Sequence, residues 1–336
     1  MTSQHISPEE IAHAIYLAEL DEAKKRGDST ADIFEKKPLK EQSEIISFDS
    51  ANVLLVKAGA GSGKTETMTQ RILWLILNGK AEPHEILGLT FTRKAAGELS
   101  ARIRKRLVQL RSQGFLEGKE LAVDVATYHS YAGRVLKEYG ILAGIEADVD
   151  PIGEAQEWQI AYRIVSDVLE TDFPLTDKPA TVVEKVITLA SQIQEHDVDI
   201  NAIRAKDQAL LEKFAQIPGD PSNDESRGFR KTIQDRLTIL SMVEKLIEYR
   251  HSQALLTFDD HMALAAKLSE TTPAVGEAER LRYKYVILDE YQDTSVAQVR
   301  FLKNLYGTGK HNVTAVGDPN QSIYGWRGAA QGTLND

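Results

Sequence analysis

The pattern of apolar positions divides the chain into two kinds of region. Short continuous apolar runs at residues 53–56, 85–90, 123–127, 285–288 and 313–316 predict buried strands. The stretches beside them place apolar residues at helical spacing, as with Met68, Ile72, Leu75 and Ile76 after the first run and Val135 and Leu136 after the third. Strands alternating with helices predict parallel βαβ units with right-handed crossovers. From residue 141 to 256 the strand runs stop. Residues 154–170, 180–195, 201–216 and 228–256 carry helical patterns instead, and Trp158, Ala161, Val165, Val168 and Leu169 form the apolar face of the first. Trp158 is expected in a core. Residues 217–224 are a loop by composition. The expected architecture is an α/β domain, residues 37–140 and 257–336, interrupted by an all-helical subdomain at 141–256.

Ahead of that domain, Ser7, Pro8 and Glu10 form a capping box with Pro at the first helical position. The helix they open is expected to run to about Arg26, with Ile11, Ile15, Tyr16 and Ala18 facing inward, and to stop at Gly27. Residues 1–36 read as a helical appendage, a solvated tail outside the core.

The first strand run breaks into Ala58, Gly59, Ala60, Gly61, Ser62, Gly63, Lys64 and Thr65. A strand, a glycine-rich loop and a helix together are the setting of a phosphate-binding loop. Its glycines turn backbone N–H groups inward around phosphate oxygens, and the helix N-terminus adds partial positive charge. Lys64 is placed to reach the terminal phosphates and the Thr65 hydroxyl to ligate Mg²⁺. The strict pattern opens with Gly, and Ala58 is small enough for the same turn. Gln42, upstream, offers an amide whose donor and acceptors suit a purine edge. The fourth strand run ends in Asp289 and Glu290. In phosphate-loop enzymes such a strand delivers an Asp to the Mg²⁺ shell, and the adjacent acid can orient the attacking water.

Composition narrows the classes. The chain has 336 residues, 42% hydrophobic and 27% charged, as in a globular protein. It contains no cysteine, which excludes disulfides and thiolate metal sites. No apolar run approaches the roughly 20 residues of a membrane helix, and the first ten residues lack a signal-peptide pattern. A cytoplasmic protein without a membrane partner is expected. The net charge of −10 does not advertise nucleic-acid binding, but a local basic groove can exist on an acidic protein. The densest basic patch is Arg102, Arg104, Lys105, Arg106 and Arg111.

Five stretches occur together: residues 58–65, residues 90–96 (Thr-Phe-Thr-Arg-Lys-Ala-Ala), residues 127–130 (Thr-Tyr-His-Ser), residues 289–294 (Asp-Glu-Tyr-Gln-Asp-Thr) and residues 317–329, which begin Gly-Asp-Pro-Asn-Gln. In order and spacing they resemble superfamily 1 DNA helicases of the UvrD/Rep/PcrA group, over roughly residues 38–336. The resemblance implies a RecA-like P-loop NTPase domain with a parallel sheet, using ATP and Mg²⁺. It implies nucleotide contacts from Gln42 and residues 58–65, metal ligation by Thr65 and Asp289, and catalytic roles for Lys64, Asp289, Glu290 and Gln321. Phe91, Thr92, His129, Tyr324, Trp326 and Arg327 are implied to face single-stranded or partly duplex DNA. Stacking on bases contributes roughly 1–3 kcal/mol each and tolerates any sequence.

Members of this group step 3′ to 5′, act in repair or recombination, and close the ATP site with arginines from a second motor domain. The chain is therefore expected to be the N-terminal motor half, with little turnover by itself. The alternative is a truncated module that binds single-stranded DNA or a partner without ATP turnover. An unrelated ATPase is disfavoured by Tyr324 and Trp326 beside the expected γ-phosphate sensor, Gln321. The chain departs from the pattern at Arg93, usually Asn, at Tyr291, usually Phe, and at Glu66, often Arg. Its Pro319 and Asn320 look more like RecB-type helicase–nucleases and related actinobacterial proteins, which implies a helicase–nuclease partner subunit.

Overall fold

The computed structural model describes residues 5–50, 53–117, 122–145, 151–169, 177–216, 224–307, 310–318 and 320–321. Helix α1 (Pro8–Arg26) and helix α2 (Lys40–Ile46) precede strand β1 (Val53–Lys57) and helix α3 (Lys64–Leu77). Strand β2 (Ile86–Thr90), helix α4 (Arg93–Ser112), strand β3 (Asp124–Thr127) and helix α5 (Tyr128–Tyr139) follow. Next come α6 (Glu154–Leu169), α7 (Pro179–His196), α8 (Ile200–Gln216), α9 (Asp224–Ser252), α10 (Phe258–Thr271) and α11 (Pro273–Arg282). Strand β4 (Tyr285–Leu288), helix α12 (Val296–Tyr306) and strand β5 (Asn312–Gly317) complete the order. The chain forms two compact units: residues 1–131, 269–294 and 301–336 in one, residues 132–268 and 295–300 in the other.

The first unit holds a five-stranded parallel sheet in the order β1-β5-β4-β2-β3. The strands are those expected from the apolar runs, and the fold class is the expected α/β one. One expectation fails: β1 is not buried on both faces. It is one of the two edge strands among the described residues, and Val53 and Leu55 are 64% and 40% exposed. A continuous apolar run reports hydrophobicity, not the number of layers packed upon it.

The solvated tail is also overturned. The capping box forms as expected: the Glu10 N–H donates to Ser7 Oγ at 3.2 Å and the Ser7 N–H donates to Glu10 Oε2 at 2.7 Å. Gly27, at φ 76°, ends the helix in the left-handed conformation that favours glycine. Yet Ile11, Ala14 and Ile15 belong to the same buried cluster as Ile72, Trp74 and Leu107. Arg106 of α4 pairs with Glu19 at 2.6 Å, and Gln109 donates to Glu22 at 3.2 Å. Part of the basic face of α4 is thus spent on holding α1.

Helix α3 is buried along Thr67–Ile76, which explains why its apolar residues wrap beyond one stripe. Arg71 lies in the middle of this buried stretch. Its Nε donates to Thr314 Oγ1 of β5 at 3.0 Å. Its Nη1 donates to the carbonyls of Ile45 at 2.8 Å, Ile46 at 3.2 Å and Phe48 at 2.9 Å. The guanidinium thereby caps the C-terminus of α2, where orphan carbonyls and the negative end of the helix dipole gather. Desolvation lowers its pKa to about 10, so it stays charged at neutral pH.

In the second unit α6, α7 and α9 enclose a core of Ala161, Val165, Val186, Ala190, Leu240 and Val243. Arg250, buried, pairs with Glu157 at 2.7 Å. Trp158 is not in that core. It is 38% exposed and stacks at 5.1 Å on Tyr162, itself 42% exposed. The two aromatics are four residues apart on one helix and cover each other at its surface.

Replacing Arg71 by Met keeps much of the volume and strips the buried carbonyls of their donor. Such groups cost about 1–3 kcal/mol each when left unsatisfied. The expected outcome is a loss of about 3 kcal/mol or more, read as a lower urea midpoint for the transition that reports the sheet-bearing unit.

Candidate active site

Because the strands are parallel, their C-terminal ends lie along one edge of the sheet, where ligands bind in α/β folds. Register brings the candidate groups together. Lys57 pairs with Gly317 and Leu288 with Ala315, so β1, β5 and β4 end side by side. The Ala58 N–H donates to Gly317 O at 3.1 Å, and the Asp289 N–H donates to Leu89 O at 2.8 Å. Residues 58–63, Asp289 and Asp318 therefore leave adjacent strands.

The loop after β1 is shaped by glycine. Gly61 and Gly63 have φ of 73° and 81°, and Gly63 is the cap residue of α3. A Cβ on Gly63 would also come within 3.1 Å of Gln42 Nε2. The Gln42 amide braces this loop: Nε2 donates to Ser62 O at 3.0 Å and Oε1 accepts the Leu39 N–H at 2.8 Å. Lys64 arches back over the loop, its Nζ donating to Ala58 O at 3.2 Å. Thr65 lies in the first turn of α3. Glu66 beside it accepts from Gln70 at 3.3 Å and lies 3.7 Å from Arg102 of α4, so a cation does stand near this turn.

Across from the loop is an acidic turn. Glu290 has φ 50° and ψ 40°, a left-handed conformation costly for a residue with a Cβ. Its N–H donates to Asp289 Oδ1 at 3.0 Å. Gln292 Nε2 donates to Glu290 Oε2 at 2.7 Å and to Asp293 Oδ2 at 3.2 Å, while its Oε1 accepts the Asp318 N–H at 3.0 Å. Tyr128, fully buried, donates its hydroxyl to Asp289 O at 3.0 Å. Burial and the neighbouring Glu290 charge push the Asp289 carboxyl up to about 6, partly offset by the Glu290 N–H and by Lys64. Among the described residues no group of three or more His, Asp or Glu could cage a metal alone. One carboxylate and one hydroxyl, Asp289 and Thr65, suit Mg²⁺, which takes its remaining ligands from phosphates and water.

Phe91 and Thr92 leave β2, and Tyr128 and His129 leave β3, from paired positions Thr90 and Thr127. Phe91 and His129 are half-buried, while Thr92 is exposed and its hydroxyl accepts the Ala95 N–H at 3.1 Å as the cap of α4. Gln321 follows in a turn, its N–H donating to Asp318 O at 2.9 Å. Tyr324, Trp326 and Arg327 lie outside the described residues. Sequence reasoning gave no role to Arg71, Tyr128, Gln292 or Asp318. The last three fall inside the quoted motifs, so their positions were flagged. Arg71 shows only as a charge in an otherwise buried helical stretch.

Fold and site together define a P-loop nucleotide-binding domain of the RecA-like α/β class. Residues 39–336 match the UvrD/REP helicase N-terminal domain, and the chain belongs to that family. It is 30% identical over 293 residues to the ATP-dependent DNA helicase PcrA of Staphylococcus aureus, covering 86% of this chain and 34% of that protein. It is 32% identical over 278 residues to the PcrA of Leuconostoc citreum, covering 82% and 32%. With DNA helicase II of Rickettsia typhi the identity is 30% over 294 residues, covering 84% and 37%. The chain spans about a third of the length of these relatives. No helix among the described residues is long and apolar enough to cross a membrane.

The raised Asp289 pKa has a stability consequence. The ionised form is disfavoured in the folded state, so the contribution of the protonated group is complete below its ordinary value of 3.8 and is lost as pH rises through about 6. Asp289→Asn stays neutral and keeps an acceptor for the Glu290 N–H. Without nucleotide or divalent cation, its stability should match wild type near pH 4 and exceed it by about 1–3 kcal/mol at pH 8. Urea midpoints at the two pH values check this.

Proposed function

We propose that this chain is the first motor domain, with its helical subdomain, of an ATP-dependent DNA helicase that moves 3′ to 5′ on single-stranded DNA in repair or recombination. The observation that carries the reading is the shared strand-end edge. There the loop with Lys64, the Asp289–Glu290 turn and the Asp318–Gln321 turn converge, and Phe91, Thr92 and His129 leave the neighbouring strands on the same edge.

In this reading the N–H groups of residues 59–65 and the α3 N-terminus hold the phosphates. Lys64 exchanges its bond to Ala58 O for the terminal phosphate oxygens. Gln42 turns its amide to the adenine edge. Asp289 and Thr65 hold Mg²⁺, which when bound neutralises charge on the transferring phosphoryl group. Glu290 accepts a proton from the attacking water, and Gln321 senses the γ-phosphate. Phe91, Tyr324 and Trp326 stack on bases, and Thr92, His129 and Arg327 line the same groove. Turnover and movement also require the arginines of a second motor domain, so residues 1–336 alone bind ATP and hydrolyse it little. Partly duplex DNA and a helicase–nuclease subunit are the partners this reading implies, and the cytoplasm the compartment.

Two measurements test it. Calorimetry should show Mg²⁺-dependent ATP binding that Lys64→Ala abolishes; equal affinity in the variant overturns the nucleotide site. Fluorescence anisotropy of a labelled oligonucleotide should show salt-dependent binding that Trp326→Ala weakens by about 1–3 kcal/mol. A non-hydrolysable ATP analogue should leave that binding unchanged, since coupling needs two states with different contacts to each ligand. A large nucleotide effect in this chain would locate the coupling within the first motor domain.

A further inference from the structure

The side chain of Gln292 is buried at the centre of the acidic turn, and its two ends bond to different segments. The amide nitrogen donates to Glu290 Oε2 at 2.7 Å and to Asp293 Oδ2 at 3.2 Å. The amide oxygen accepts the backbone N–H of Asp318 at 3.0 Å, at the exit of β5. Asp318 then holds the next turn, its carbonyl accepting the Gln321 N–H at 2.9 Å and its Oδ1 accepting the Asn320 N–H at 3.0 Å. A single carboxamide therefore spans from the carboxylate of Glu290 to the turn that carries Gln321.

We propose that Gln292 is a positioning residue for hydrolysis: it fixes the Glu290 carboxylate and ties its place to the β5 exit turn. This rests on the reading of Glu290 as the residue that receives a proton from water. A carboxylate on a flexible side chain rotates freely, and Glu290 already occupies a left-handed backbone conformation that aims it unusually. Bonding one carboxylate oxygen to an amide leaves the other to face water in a set direction. No other side-chain type supplies the same pair of groups at this length: Glu lacks the donors at neutral pH, and Met lacks both donor and acceptor. Because the amide oxygen is held by the Asp318 N–H, a shift of the β5 exit turn moves the amide and with it the carboxylate. Gln292 touches neither nucleotide nor water in this account; it acts through Glu290.

The test uses Gln292→Met, Gln292→Glu, Glu290→Gln and the double variant Glu290→Gln/Gln292→Met in the full-length protein that carries this chain. DNA-stimulated ATPase kinetics and the affinity for a fluorescent ATP analogue are measured for each. Gln292→Met, close in volume, should lower kcat by roughly 10- to 100-fold, the scale of a misplaced catalytic group, with KM and analogue affinity within about threefold of wild type. Gln292→Glu keeps an acceptor for the Asp318 N–H and loses the donors to Glu290, so it should fall as far. In the double variant the second substitution should add nothing beyond Glu290→Gln, because both remove one function. Loss of analogue binding in step with kcat in both Gln292 variants, or full additivity in the double variant, overturns the positioning role alone. If Glu290→Gln itself leaves kcat intact, the reading of Glu290 fails and the proposal with it.

Discussion

The parallel register at the strand ends is the constraint on which the rest depends. Lys57 faces Gly317 and Leu288 faces Ala315, so a loop near residue 60, an acidic pair near 290 and a turn near 318 emerge on one edge. A slip of one residue in a parallel ladder would turn each strand's side chains to the opposite face. The ladder continues past the strands proper through the Ala58 N–H to Gly317 O bond, which anchors the first residue of the loop. The β5 strand lies between β1 and β4, so the sheet is complete at the site only when the last described strand is in place.

Arg71 connects that sheet to the elements in front of it. The helix beginning at Lys64 cannot shift without disturbing Thr314 on β5 or the carbonyls of Ile45, Ile46 and Phe48. The short helix it caps at one end presents Gln42 near the other, against Ser62. A buried cation with no carboxylate at bonding distance among the described residues is tolerable because it meets several carbonyl dipoles at a helix C-terminus. Gln42 touches the loop backbone directly at Ser62, whereas Arg71 acts one step removed, by fixing the C-terminus of the helix that carries Gln42.

Charge is arranged unevenly over the first unit. Asp289, Glu290 and Asp293 leave β4 in one turn and Asp318 leaves the neighbouring β5, and burial with the Glu290 charge raises the Asp289 carboxyl to about 6. The basic helix α4 is less free than its composition implies: Arg102 lies beside Glu66 and Arg106 beside Glu19. A charge run in sequence gives only the sum; the partners that neutralise part of it come from helices roughly forty and ninety residues away.

The strand runs, the alternation that makes the sheet parallel, the Ser7 capping box, the glycine loop and the Asp289–Glu290 pair were all legible locally, because each depends on residues close in sequence. The resemblance to a helicase family also marked the stretches that carry Gln292, Asp318 and Tyr128. Their partners were not legible, since the hydrogen bonds of Gln292 to Asp318 and of Tyr128 to Asp289 join segments that only the sheet brings together. Burial was the other gap. Apolar spacing put Ile11 and Ile15 on an inner face but did not say that α1 had a core to join, and it could not tell that Val53 and Leu55 lie on an edge strand or that Trp158 pairs with Tyr162 at the surface. Periodicity specifies which residues of an element share a face; only the tertiary structure decides whether another layer covers that face.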